Sequence, residues 1–136
     1  VSAASSVPIA AGESEFTRFG FRDLIIRGGI AVVQPDPARA GGISECRKIA
    51  ALAASHNRKI SPHTGASGAL CVAAALQLAA AFPHFTMYED MIIENPLRDN
   101  ILRESLPAIE GGKIAVPDEP GLGVNIDEEK FEQYIE

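Results

Sequence analysis

The chain is 136 residues long, 46% hydrophobic and 22% charged, with a net charge of −6 at neutral pH. That length and balance fit one modest globular domain with its own core rather than a disordered or fibrous chain. The acidic balance, with no basic tail or arginine-rich arm, argues against nucleic acid or an anionic membrane surface as partner.

In chain order, four short strand-like segments alternate with helical patterns. Residues 7–12 form the first segment and deliver Glu13. Helical spacing of Phe21, Leu24 and Ile25 predicts a helix over 17–27, stopped by Gly28 and Gly29. The β-branched start of 31–42 reads as a buried strand that ends at Pro35 and Pro37, with Asp36 held at its tip. Gly41 and Gly42 then open a helix over 43–56. Its buried face carries Ile43, Cys46, Ile49, Ala50 and Ala53, with Glu45, Arg47 and Lys48 towards water. Residues 59–62 form the third strand and deliver His63. Residues 68–82 form a helix apolar nearly all round, covered on both sides and stopped by Pro83. Residues 85–88 form the fourth strand and deliver Glu89. After Glu89 the rhythm breaks. A short helix-like piece is expected around 99–105, a turn and strand at 111–117, and an Asp127-capped helix over 127–134.

The remaining features are less specific. Cys46 and Cys71 lack CxxC spacing and a His at metal-ligand distance, so they read as small buried hydrophobes in a reducing, cytoplasmic compartment. The apolar run 69–82 is short for a bilayer and interrupted by Gln77, which makes it a core helix. Residues 1–7 have neither a basic region nor a Met, so no signal peptide is read there, and the chain reads as a piece of something longer.

Glu13, Asp36, His63 and Glu89 follow one another at separations of 23, 27 and 26 residues, about one βα unit each. Alternation without hairpin signals means parallel strands, which bring all four groups to one rim. Chemistry in α/β proteins sits at that end of the sheet. A carboxylate such as Glu13 is a hard oxygen ligand for Mg²⁺. An Asp one strand from a His fixes the imidazole tautomer and makes it a base near neutral pH. Glu89 across the mouth would serve as hydrogen-bond donor or acid. Metal, base and acid together point to proton abstraction beside a carboxylate. The plainer reading of Asp36 is a cap for a turn or for the next helix.

These motifs resemble the enolase superfamily, in the mandelate racemase/muconate lactonizing enzyme branch. The matching stretches are Gly12-Glu13, Gln34-Pro35-Asp36 with Gly41-Gly42, Pro62-His63, Tyr88-Glu89, and Val116-Pro117-Asp118 with Pro120-Gly121-Leu122-Gly123. The resemblance implies an α/β fold, a (β/α)8 TIM-barrel of which this chain covers strands five to eight plus the C-terminal tail. Residues 1–90 would be the second half of the barrel, and 91–136 a tail packing back on it or on the capping domain. It implies Glu13 as third metal ligand for Mg²⁺, Asp36 and His63 as the dyad with His63 as base, and Glu89 as the carboxyl group of strand eight. The stretch 12–22 is most similar to acid-sugar dehydratases, lyases in which loss of a β-hydroxyl follows α-proton abstraction; racemisation of a 2-hydroxy acid is the other activity implied.

Glu15 is the rival of Glu13 for the metal. Glu15, Arg18, Arg39 and Thr64 are candidates for contact with a hydroxy- or sugar-acid substrate. The capping domain, strands one to four, the second-strand lysine motif and the other two metal ligands of the family are not in this sequence. Activity is therefore expected only with the rest of the barrel, from the same protein or a companion chain, and in a homo-oligomer. The contrasting expectation is a catalytically incomplete half-barrel that serves as a binding or assembly module.

Overall fold

The structure, a computed structural model, describes residues 1–135. After a 3₁₀ turn at Ser2–Ala4 the chain runs β1 Ala10–Ala11, α1 Thr17–Ile26, β2 Val32–Val33, α2 Ile43–Ser55, β3 Lys59–Ile60 and α3 Ala69–Ala81. The remainder contains α4 Pro96–Asp99, β4 Ile109–Glu110, β5 Lys113–Ile114 and α5 Glu128–Glu132. Strands β1, β2 and β3 lie side by side, all parallel, in chain order. Ala11 stands opposite Val33, and Val33 opposite Ile60. The backbone ladder runs on past β3: the Ser61 N–H donates to the Val33 carbonyl at 3.0 Å and the His63 N–H to that of Pro35 at 3.1 Å. That register sets His63 beside the tip that carries Asp36.

The expected fourth strand is present only as a parallel bridge between Phe85 and Ile60. Its bonds are Ile60 N–H to the His84 carbonyl and Thr86 N–H to the Ile60 carbonyl, both 3.1 Å. Pro62 explains why the ladder stops, because it has no N–H for the next rung. Side chains take over from there. Ser61 Oγ donates to the Met87 carbonyl at 2.7 Å, and Thr64 Oγ1 to the Glu89 carbonyl at 2.8 Å. The sheet stays open at both sides, and no closed barrel forms among the described residues.

The core lies between sheet and helices. Phe21 and Ile25 of α1, Cys46, Ile49, Ala50 and Ala53 of α2, and Leu78 of α3 meet Ile30, Val33 and Ile60. Each large side chain buried there contributes about 1.5–3 kcal/mol. Two expectations for α2 change. Ile43 is 42% exposed, because a side chain in the first helical position leans back past the end of the core. Glu45, expected in water, turns to Arg18, and only 12% of its side chain stays exposed. Helix α3 is buried along most of its length, as a helix apolar on every face must be. Its one polar residue, Gln77, donates to the carbonyl of Pro117 at 2.7 Å, which brings the C-terminal segment over it.

In that segment the helical turn falls at α4 rather than over 99–105. Asn95 caps it by accepting from the Leu97 N–H at 3.1 Å, and Pro96 takes the first helical position. Strands β4 and β5 form an antiparallel hairpin. Gly111 and Gly112, with φ of 57° and 74°, supply the left-handed pair that a two-residue turn of this kind needs. Helix α5 starts as expected, with Asp127 accepting from the Lys130 N–H at 3.3 Å. Ile101 and Leu102 pack with Ala69 of α3, and Leu106, Val124 and Phe131 close around them. No described helix is long and apolar enough to cross a membrane.

Candidate active site

Asp36 stands between two buried prolines and is itself only 6% exposed. Its Oδ1 accepts from the Ala38 and Arg39 N–H groups at 2.8 and 3.2 Å, so the turn after β2 is built on this side chain. Oδ2 points along the rim to His63 Nδ1, 3.1 Å away. On the other side of the ring, His63 Nε2 lies 3.2 Å from Glu13 Oε2. The imidazole thus bridges two carboxylates, one enclosed and one open: side-chain exposures are 8% for Asp36, 15% for His63 and 62% for Glu13. In the neutral ring, Nδ1–H donating to Asp36 leaves Nε2 as the proton acceptor. Once Nε2 gains a proton, both nitrogens donate to carboxylates. The arrangement gives a ring nitrogen at the open side of the rim that can accept a proton, with the ring oriented by Asp36.

Glu89 is exposed, and its Oε2 accepts from Gln34 Nε2 at 3.3 Å, which places it on the same rim. Tyr88 and Asp90, on either side of it, line a cavity of about 280 Å³ with Arg98. Such alternation is what extended backbone imposes. Thr64 is 1% exposed, and its hydroxyl is committed to the Glu89 backbone. Glu15, just ahead of α1, folds back on the helix start, its Oε1 accepting from the Phe16 N–H at 2.9 Å. It still borders, with Glu13 and Gln34, an open concavity of about 460 Å³. Arg18 is paired with Glu45 at 2.8 Å rather than brought to His63. Arg39 is exposed, and its backbone N–H holds Asp36. His56 lies exposed at the end of α2.

Sequence reasoning missed two partners of Asp36. Ser67 Oγ donates to Oδ2 at 3.4 Å and the Cys71 thiol to Oδ1 at 3.6 Å. They sit four residues apart across the start of α3, a spacing that puts both on one side. That spacing, directly after His63, was the available signal. Burial pushes the Cys71 thiol up from its ordinary range, so it stays protonated and acts as a donor. Cys46, deeper in the core, is pushed up to about 12, mainly by burial. Both cysteines are free.

Mg²⁺ asks for near-octahedral oxygen coordination. Among the described residues no three His, Cys, Asp or Glu side chains come together to hold a metal. Glu13 offers one open carboxylate and Asp36 is fully engaged within the chain, so the residues present do not make a Mg²⁺ site by themselves.

Residues 1–130 match the family model described as enolase C-terminal domain-like. A D-galactonate dehydratase of Variovorax paradoxus is 36% identical over 136 residues, covering 96% of this chain and 35% of the relative. A D-galactarolactone cycloisomerase of Agrobacterium fabrum is 36% identical over 142 residues, covering 98% and 37%. Among solved structures, a mandelate racemase/muconate lactonizing enzyme from a Jannaschia species superposes with a TM-score of 0.85 at 34% identity, covering 97% of this chain and 33% of that one. The chain therefore spans about a third of the length of the relatives it matches. Taken with the parallel sheet and the rim of Glu13, Asp36 and His63, the match places the chain: it belongs to the enolase C-terminal domain-like family.

Proposed function

We propose that this chain supplies the acid–base side of a barrel enzyme that dehydrates a sugar acid. The observation that carries the reading is the enclosed Asp36–His63 pair with Nε2 turned to the open side of the rim. His63 Nε2 takes the proton from the carbon beside the substrate carboxylate, leaving an enediolate. The β-hydroxyl then departs as water, with the proton supplied by protonated His63 or by Glu89. One C–H and one C–O bond break, and the resulting enol becomes a 2-keto acid. Asp36 holds the ring throughout.

Support for a sugar acid comes from relatives named for D-galactonate and D-galactarolactone. Glu15 and Arg39, near the mouth, are the residues of this chain free to meet substrate; Arg18 and Thr64 are held by Glu45 and by the Glu89 backbone. Mg²⁺ enters the proposal only as far as Glu13 reaches. One carboxylate is a single ligand, and the others come with the rest of the barrel, as does any second base for racemisation. A homo-oligomer of the complete barrel in the cytoplasm belongs to the same proposal.

The test uses the whole protein that carries this chain, given D-galactonate and related acid sugars with Mg²⁺ in D₂O. Expected is a 2-keto product carrying deuterium at the β carbon, where the enol takes up a solvent deuteron, with its formation falling about 10²- to 10⁴-fold in His63→Asn. Undiminished turnover in His63→Asn would remove His63 as the base. No turnover of any acid sugar by the unaltered protein would favour the assembly-module reading.

A further inference from the structure

Residues 64–67 form a short loop that touches three parts of the site at once. At its start, Thr64 Oγ1 donates to the Glu89 carbonyl at 2.8 Å. Gly65, with φ of +32°, lies against the imidazole of His63; a Cβ built there would collide with the ring's Cε1 and stand 3.2 Å from each ring nitrogen. At the loop's end, Ser67 Oγ donates to Asp36 Oδ2 at 3.4 Å. The carboxylates of Asp36 and Glu13 constrain the ring through its two nitrogens. The loop closes off the Cε1 edge between them, where no side chain would fit.

What holds the far end of this loop comes from another part of the chain. Asn95 Nδ2 donates to the carbonyls of Ala66 and Ser67 at 3.3 and 3.1 Å. Its Oδ1 simultaneously accepts from the Leu97 N–H at 3.1 Å, capping α4. Its own N–H donates to Asp99 Oδ2 at 3.0 Å. One amide therefore ties two loop carbonyls to a helix end that is itself fixed. Removing the donors leaves those carbonyls without their side-chain partner and frees the loop at Ser67, the residue whose hydroxyl bonds Asp36.

We propose that Asn95 is a positioning residue for the His63–Asp36 pair, acting through the Gly65 loop that it anchors. This rests on the reading of His63 as the base, and it gives the segment after Glu89 a part in the reaction that nothing in its own chemistry would suggest. The two ends of the Asn95 side chain do separable work. Asp at this position keeps the oxygen that caps α4 but sets a negative oxygen against the two carbonyls. Ser keeps a capping oxygen and is too short to reach them.

The experiment compares Asn95→Asp and Asn95→Ser with the unaltered whole protein in two ways. Steady-state kinetics on the acid sugar turned over should show kcat lower by about 10- to 100-fold with KM little changed, the size of effect that loss of alignment produces. Carbethoxylation by diethyl pyrocarbonate, followed by peptide mass mapping, should show His63 modified several-fold faster relative to the exposed His56. Unchanged kcat and an unchanged His63 to His56 labelling ratio would overturn the proposal, as would a change in KM alone. If the unaltered protein turns over no acid sugar, the functional reading fails by itself, and the labelling ratio alone decides the role of Asn95. If the Asp variant does not fold, the Ser variant carries the comparison.

Discussion

Two cysteines that look alike in the sequence occupy different chemical positions. Cys46 is wholly enclosed by the core, and its thiol is pushed up to about 12 by burial, with the charges of Asp36 and Glu45 adding to the effect. Cys71 faces Asp36 and is raised mainly by burial. The direction follows from solvation: the thiolate is the charged form, and enclosure disfavours it. With an ordinary thiol near about 8.5, the thiolate fraction of Cys46 at pH 8 falls by roughly 10³-fold. Iodoacetamide at pH 8, followed by peptide mass mapping, should therefore leave Cys46 unmodified in the native protein and label it readily in denaturant. Rapid native labelling would mean the α2 core opens. At this scale Asp36 and His63 were legible, because two prolines and the βα period put both at strand tips. Ser67 and Cys71 offered only their four-residue spacing after His63, and Asn95 no signal at all, since each reaches its partner across elements.

Helices α1 and α2 are joined by one carboxylate. Glu45 accepts from the Arg18 N–H at 2.8 Å and from its guanidinium at 2.8 and 3.0 Å. It thus satisfies a free N–H in the first turn of α1 from the neighbouring helix. The Arg18 backbone bond, followed by the Arg18 charge, holds the Glu45 carboxyl below its usual range. A carboxylate depressed in the folded state stabilises it above the unfolded pKa, about 4.3, and that contribution is lost as pH falls through the lower folded value. Glu45→Gln should lower the melting temperature at pH 7 by a few degrees, about the effect of one lost charge-assisted bond. The gap from the unaltered protein should shrink between pH 5 and pH 3. A gap that stays constant with pH would assign the effect to packing instead. The helices themselves were legible from apolar spacing and from Pro83. The fourth strand was overestimated: periodicity does not register that Pro62 withholds the N–H its ladder required.

The open sheet governs how the whole molecule behaves. Strand β1 and the segment at Phe85 each have one side unpaired among the described residues. Apolar side chains are exposed near both, with Val7 at 67%, Phe16 at 59%, Met87 at 64% and Ile93 at 69%. Unpaired parallel edges with apolar neighbours invite association. Sedimentation velocity on the 136-residue chain alone should show mass above 14.4 kDa that increases with concentration. Adding a polypeptide with the remaining strands should suppress it. A monodisperse 14.4 kDa species at all concentrations would mean that the edges are shielded in solution. The alternation of three strands with helices α1 to α3, and the places of Asp36 and His63 just past strand ends, rest on local periodicity and on where proline and glycine fall, and were therefore readable from the residues alone. Only the tertiary structure decided that Arg18 serves Glu45, that Ser61 and Thr64 replace the missing rungs, and that Asn95 reaches the loop beside His63. Those bonds join residues 25 to 29 positions apart, where the geometry of packed elements, not neighbouring residues, selects the partner.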